Sequence, residues 1–129
     1  MMIPDTHLDI LDKKAFASIA TIGPNGEPQN NPIWFGWDGS NVRFSQTTTR
    51  QKYRNMRSDP RVSLSILDPD DPYRYVEIRG TVVDVEEDPD LAFINSMAHK
   101  YLGLDRYPWH QPGDERVVIV VEPTHATVM

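Results

Sequence analysis

Phe16-Ala17-Ser18-Ile19-Ala20-Thr21-Ile22, then Gly23-Pro24-Asn25-Gly26-Glu27-Pro28, then the run Gln29 to Trp37, is where the class of fold is set. Two strand-like runs flank an Asn-Gly turn, the strongest short-range signal for a β-hairpin. Asp38-Gly39-Ser40-Asn41 is a second turn and leads into Val42 to Ser45. The first half of the chain therefore reads as a meander of three antiparallel strands, preceded by a short helix over 7–15 with Leu8, Leu11 and Ala15 at helical spacing.

Downstream of the meander, Thr49 to Ser58 reads as a helix whose start a threonine can cap and which Asp59-Pro60 ends. Val62, Leu64 and Ile66 alternate with Ser63 and Ser65, as in a strand buried on one face. Asp68 to Pro72 reads as a turn, and Tyr73 to Glu86 as a long strand in which Gly80 marks a bulge. Asp88-Pro89 opens another helix, with Leu91, Ile94, Met97, Ala98 and Tyr101 as its apolar stripe and Gly103 as its stop. A long loop from Leu104 to Glu115 precedes Val117 to Val121, a β-branched run suited to a central strand. About six strands with two helices between them indicate a small antiparallel barrel, in which closure removes exposed strand edges.

The 129 residues suit one domain, 1–129. A mean hydropathy of −0.51, and the lack of any stretch near the ~20 apolar residues that span a bilayer, argue against a membrane protein. No basic region followed by an apolar core opens the chain, so no signal peptide is expected. Cysteine is absent, which excludes disulfides, thiolate metal sites and cysteine nucleophiles and fits a cytoplasmic protein. His7, His99, His110 and His125 share no metal-ligand spacing, and no nucleophile–base motif is evident, so neither a metal site nor a catalytic triad is expected.

Thirteen basic against 19 acidic residues give a net charge of −6, which does not favour nucleic acid. The average conceals a reversal: Arg43, Arg50, Lys52, Arg54 and Arg57 all fall between Asp38 and Asp59, with no acid among them. Within that segment Ser45, Thr47, Thr48 and Thr49 stand beside Arg50 and Lys52 at a predicted helix start. Hydroxyl donors, a guanidinium fork, an ammonium and free helix N–H groups are what a phosphate ester needs. A polar helix start with a solvated basic face is the alternative. Tyr107-Pro108-Trp109-His110 in the long loop suits either a cover over a planar ligand or aromatics anchoring the loop to the core.

Gly26-Glu27-Pro28-Gln29, Pro32-Ile33-Trp34-Phe35 and Phe44-Ser45 through Lys52-Tyr53-Arg54-Asn55-Met56 resemble the pyridoxamine-phosphate-oxidase-like split barrels. Asp59-Pro60-Arg61-Val62-Ser63-Leu64, Tyr73 to Glu77, Arg79-Gly80-Thr81 and Lys100-Tyr101-Leu102-Gly103 continue the resemblance in order. It covers about 16–123 and is nearest to the branch of small reductases that use the deazaflavin coenzyme F420. The resemblance implies a mainly β fold: a six-stranded antiparallel split β-barrel (FMN-binding split barrel) with two or three short helices. It also implies a homodimer with a cofactor in a groove between subunits, and hydride transfer from reduced F420 to an unsaturated organic acceptor. An FMN-dependent reductase or oxidase, or a non-catalytic flavin or deazaflavin carrier, are the alternatives. By the same resemblance Arg50 and Lys52 hold the cofactor phosphate with Ser45, Thr47 and Thr48, while Asn31, Pro32 and Ile33 line the ring. Tyr75, Arg79, Trp109 and His110 are candidates for the acceptor side. True pyridoxamine-phosphate oxidases carry a further C-terminal segment for the vitamin substrate, so vitamin B6 synthesis is not implied.

Overall fold

The computed structural model describes residues 2–129. Seven strands form one antiparallel sheet: β1 (Ala17–Ile22), β2 (Pro28–Ile33), β3 (Gly36–Trp37), β4 (Val42–Thr47), β5 (Arg61–Asp68), β6 (Asp71–Glu87) and β7 (Arg116–Val128). The sheet order is β2-β1-β5-β6-β7-β4-β3. Three helices accompany it: α1 (Leu8–Asp12), α2 (Gln51–Ser58) and α3 (Ala92–Leu102). The fold is the split barrel, mainly β, that the sequence implies.

The expected hairpin is present, with β1 and β2 in register from Ala17↔Ile33 to Ile22↔Pro28. The three-stranded meander is not. β4 pairs with β7, from Val42↔Val121 to Thr47↔Arg116, and carries only two-residue β3 on its other side. The run Gln29 to Trp37 breaks because the backbone of Phe35 takes its partners from α3. Its N–H donates to Tyr101 Oη (3.2 Å), and its carbonyl accepts from Lys100 Nζ (3.0 Å) and from Tyr101 Oη (3.3 Å). Splitting that run raises the strand count from six to seven. It also makes β2 and β3 the two outer strands of the sheet, although only Trp34 and Phe35 separate them in the chain. A two-residue link cannot span a flat seven-stranded sheet, since neighbouring strands are ~4.8 Å apart. The sheet must curl until its edges approach. Pro28 and Pro32 on β2 suit this edge position, where a missing N–H costs no ladder bond.

Gly80 lies at a register shift between β6 and β7, as expected; a Cβ there would stand 2.6 Å from the carbonyl oxygen of Glu122. Other boundaries move. β6 begins at Asp71, so the preceding turn is only Pro69 and Asp70. β7 extends beyond the buried run Val117 to Val121 as far as Val128. The leading helix is shorter, a 3-10 turn over Asp5–His7 followed by α1. No threonine caps α2. Arg50 is its N-cap, with extended backbone and no side-chain cap bond, because Arg50 N–H closes a turn onto the Thr47 carbonyl (3.3 Å) and sets the helix start beyond Thr49. α3 does not open at Asp88-Pro89; Asp88 begins a turn closed by Leu91, whose φ is 59°. The Asp88 carboxylate nevertheless accepts from the N–H groups of Phe93 (3.1 Å) and Ile94 (3.2 Å), neutralising two orphan donors of the first helical turn. Gly103 ends α3 with φ 71°, as expected.

Inside the curl, Ile19, Phe35, Phe44, Leu64, Ile66, Ile78 and Ile119 are fully buried, with Ile10 and Leu11 of α1 against them. No helix among the described residues is long and apolar enough to cross a membrane.

Candidate functional site

Curling brings β2 towards β4, and a cavity of about 650 Å³ opens at this seam. β2 and its continuation supply Gln29, Asn31, Pro32, Ile33 and Trp34. β4 supplies Ser45, Gln46 and Thr47, and the start of α2 adds Arg50, Gln51 and Lys52. Ile94 and Met97 of α3 give an apolar patch; Phe16, Tyr107 and Trp109 give aromatic surface; Arg116 enters from β7.

The lining contains three cations and no carboxylate. Among the described residues, neither Arg50 nor Lys52 has an ion-pair partner. Burial, and then repulsion from Arg50, hold the Lys52 ammonium below its usual pKa. Arg116 follows from strand register: it lies opposite Thr47 across the β4–β7 ladder, so both side chains project to the same face. Its Nη1 donates to Ser45 Oγ (3.3 Å), and the guanidinium stands 4.5 Å from the centroid of the Tyr107 ring. Among the described residues its buried Nε has no partner. Unneutralised cations in a partly desolvated cavity are costly unless a ligand brings negative charge.

Amide hydrogen bonds hold the two walls together. Buried Asn55 of α2 donates to Thr21 Oγ1 (3.1 Å) and Gln29 Oε1 (3.0 Å), and accepts from Gln51 Nε2 (2.8 Å). Gln29 Nε2 passes the chain on to Asn31 Oδ1 (3.0 Å). Asn31 and the start of α2 are thereby fixed to one another through Asn55. On the opposite side Trp34 stacks on Tyr101 (5.1 Å between centroids, 4° between planes), and Tyr107 and Trp109 pack against Trp34. The loop aromatics anchor their loop and face the cavity at once. Trp109 remains 55% exposed at the mouth.

Of the residues singled out in the sequence, Asn31, Pro32, Ile33, Ser45, Thr47, Arg50, Lys52 and Trp109 line this cavity. Thr48 sits in the turn behind it, its N–H donating to the Glu115 carbonyl (3.1 Å). Tyr75 and Arg79, expected at the site, lie instead on β6, where Arg79 pairs with Glu77 (2.9 Å); neither lines the cavity. His110 is adjacent but outside the lining, with Nδ1 buried and unpartnered. Sequence reasoning missed Phe16, Gln29, Gln46, Gln51, Ile94, Met97 and Arg116 as lining residues. For Arg116 the available signal was its place at the head of the Val117 to Val121 run, but only the β4–β7 register shows which cavity it enters.

A family model described as pyridoxamine 5'-phosphate oxidase matches residues 3–129. A solved structure named F420 reductase is similar over 97% of this chain and 98% of its own, at 42% identity and a TM-score of 0.88. A conserved hypothetical protein from Mycobacterium tuberculosis shares the fold at 24% identity and a TM-score of 0.75, over 98% of this chain and 84% of its own. A putative pyridoxamine 5'-phosphate oxidase from Listeria innocua does so at 22% identity and a TM-score of 0.73, over 97% and 96%.

Proposed function

The chain belongs to the pyridoxamine 5'-phosphate oxidase family, and from that premise we propose that it is an F420-dependent oxidoreductase acting on an unsaturated organic acceptor, an enone or a quinone. The observation that carries this reading is the 42% identity to an F420 reductase along almost the whole of both chains. The cavity suits such a cofactor. Its cations lack carboxylate partners and Arg116 Nε lacks any acceptor, while Pro32, Ile33, Ile94 and Met97 offer apolar surface to a planar ring.

Arg50 and Lys52 would hold the phosphate, with Ser45 and Thr47 as hydroxyl donors and Thr48 stiffening the turn behind them. Asn31, Pro32 and Ile33 would lie along the ring, with Asn31 oriented by Gln29. When bound, the deazaflavin supplies the hydride, so the chain's own part is to bind, orient and exclude water. The lining residues include neither a carboxylate nor a histidine. Trp109 and Trp34 would shield the acceptor side. Tyr75 and Arg79 would serve the site of a second copy in a homodimer.

Oxidation of reduced F420 by a panel of activated enones and quinones, followed spectrophotometrically, tests the enzymatic part. Turnover with at least one acceptor, abolished by omitting the protein, is the expected result. Tight F420 binding with no turnover across the panel would make the chain a carrier instead.

A further inference from the structure

Arg116 is more than a strand-end cation. Its Nη1 donates to Ser45 Oγ and its guanidinium carbon stands 4.5 Å from the Tyr107 ring centroid, so the group is held on two sides, yet among the described residues its buried Nε–H has no partner, beside an acid-free cavity. A donor fixed by its neighbours but left unsatisfied is a costly arrangement in a finished structure. The two cations at the α2 start already suffice for a singly charged phosphodiester. A third one, entering from a different strand, is surplus unless the ligand brings further negative charge.

We propose that Arg116 is a specificity-determining residue of this cavity, donating to a second anionic charge of a phosphorylated ligand. That charge comes either from the second ionisation of a phosphate monoester or from a carboxylate attached beyond a phosphodiester. The inference deepens the cofactor reading above and rests on it for the ligand's identity, but the anion chemistry can be tested without any flavin.

The test compares the parent with Arg116→Gln and Arg116→Lys in two assays. Inorganic pyrophosphate is the probe in thermal shift; riboflavin, FMN and F420 are the probes in fluorescence titration. Pyrophosphate should raise the melting temperature of the parent and do so far less for Arg116→Gln. FMN and F420 should bind Arg116→Gln at least ~10-fold more weakly, the size of one charge-assisted hydrogen bond, whereas riboflavin, which has no phosphate, should bind parent and variant alike. Arg116→Lys should recover part of the loss, since it keeps the charge without the planar fork. A greater loss with FMN identifies the phosphate monoester as the source of the second charge, and a greater loss with F420 the distal carboxylate. An Arg116→Gln protein that answers pyrophosphate, FMN and F420 as the parent does would overturn the proposal, and so would an equal loss with riboflavin. A parent that binds neither cofactor, with the pyrophosphate response still dependent on Arg116, removes the cofactor reading and leaves this one standing. A parent that responds to none of these ligands overturns both.

Discussion

Lys52 ties the stability of the chain to the proposed anion binding. Its pKa is lowered by burial and by Arg50, so the unfolded chain, near the ordinary value of 10.5, holds the proton more strongly than the folded one. The penalty is present in full below the lowered value, shrinks as pH rises from there, and is gone above 10.5. Ligand-free protein should therefore gain stability from this group as pH rises through that window. Binding of an anion runs the other way, weakening as Lys52 loses its proton. Lys52→Met, which keeps the stem and removes the charge, should raise the melting temperature of the ligand-free protein and lower cofactor affinity. Lys52→Ala should cost about 1.5–3 kcal/mol of binding, roughly 10- to 150-fold, and Arg50→Ala at least as much if its fork is bidentate. Arg43 is the control: it is committed to Asp38 (2.9 Å) and Glu86 (2.6 Å), and Arg43→Ala should leave affinity within about twofold of the parent, because its charge is already neutralised by two partners. Titration calorimetry of these variants at two salt concentrations separates the effects, since added salt should weaken binding to the parent. Unchanged affinity in both Lys52→Ala and Arg50→Ala would reduce the basic stretch to a solvated helix face.

Among the elements, α2 depends on Asn55 for its seat. Asn55→Ala leaves Gln29, Gln51 and Thr21 without the amide that joins them, at a cost of about 1–3 kcal/mol for buried groups losing partners. The expected result is a lower melting temperature together with weaker cofactor binding, because Asn31 and Lys52 lose their common reference. A stability loss with unchanged affinity would show that α2 keeps its place without the amides. α1 and the residue that follows it are strapped to the β5–β6 turn through buried Asp68, which meets Lys13 (2.9 Å) and Arg74 (2.6 Å), while Arg74 also reaches Asp9 (3.0 Å). Hydrogen bonds from Lys13 and the Asp70 backbone hold Asp68 below the ordinary carboxylate value, and Arg74 holds Asp9 at about 2. Since the unfolded chain binds these protons more readily, the strap's stabilisation is complete above the unfolded carboxylate pKa and is lost as pH falls through the lowered folded values, that of Asp9 being about 2. Acid titration of the parent and of Asp68→Asn should show a steeper decline for the parent; parallel curves would mean the strap contributes nothing. The hairpin and the Gly103 stop were legible because each depends on neighbours in the chain, and the Gly80 bulge because a glycine inside a strand run marks close backbone approach, here that of Glu122 on β7. The break at Trp34-Phe35 was not, since Lys100, which donates, and Tyr101, which both donates and accepts in place of a ladder, lie in a distant helix. The threonine cap failed for a related reason: a turn from Thr47 to Arg50 competes with it.

For the molecule as a whole, a net charge of −6 surrounds a cavity whose lining holds three cations and no acid. The acid-free run between Asp38 and Asp59 announced two of those cations, Arg50 and Lys52, but not the third, Arg116. Register and curl had to add the rest, for they alone bring Asn31 on one edge strand to Ser45 and Arg116 from the far side of the sheet. Phe16 and Trp109, both more than half exposed, flank the opening, and Tyr75 and Arg79 sit away from it. These features suit a homodimer in which a second copy completes the site. Sedimentation at micromolar concentration should give a dimer; a monomer that binds cofactor at full strength would remove that proposal. The most direct measurement is a pair of fluorescence titrations of the same purified protein, one with F420 and one with FMN, in the same buffer. Saturable binding of F420, tighter than that of FMN, is the expected result. Tighter binding of FMN, or no binding of F420, would contradict the deazaflavin reading.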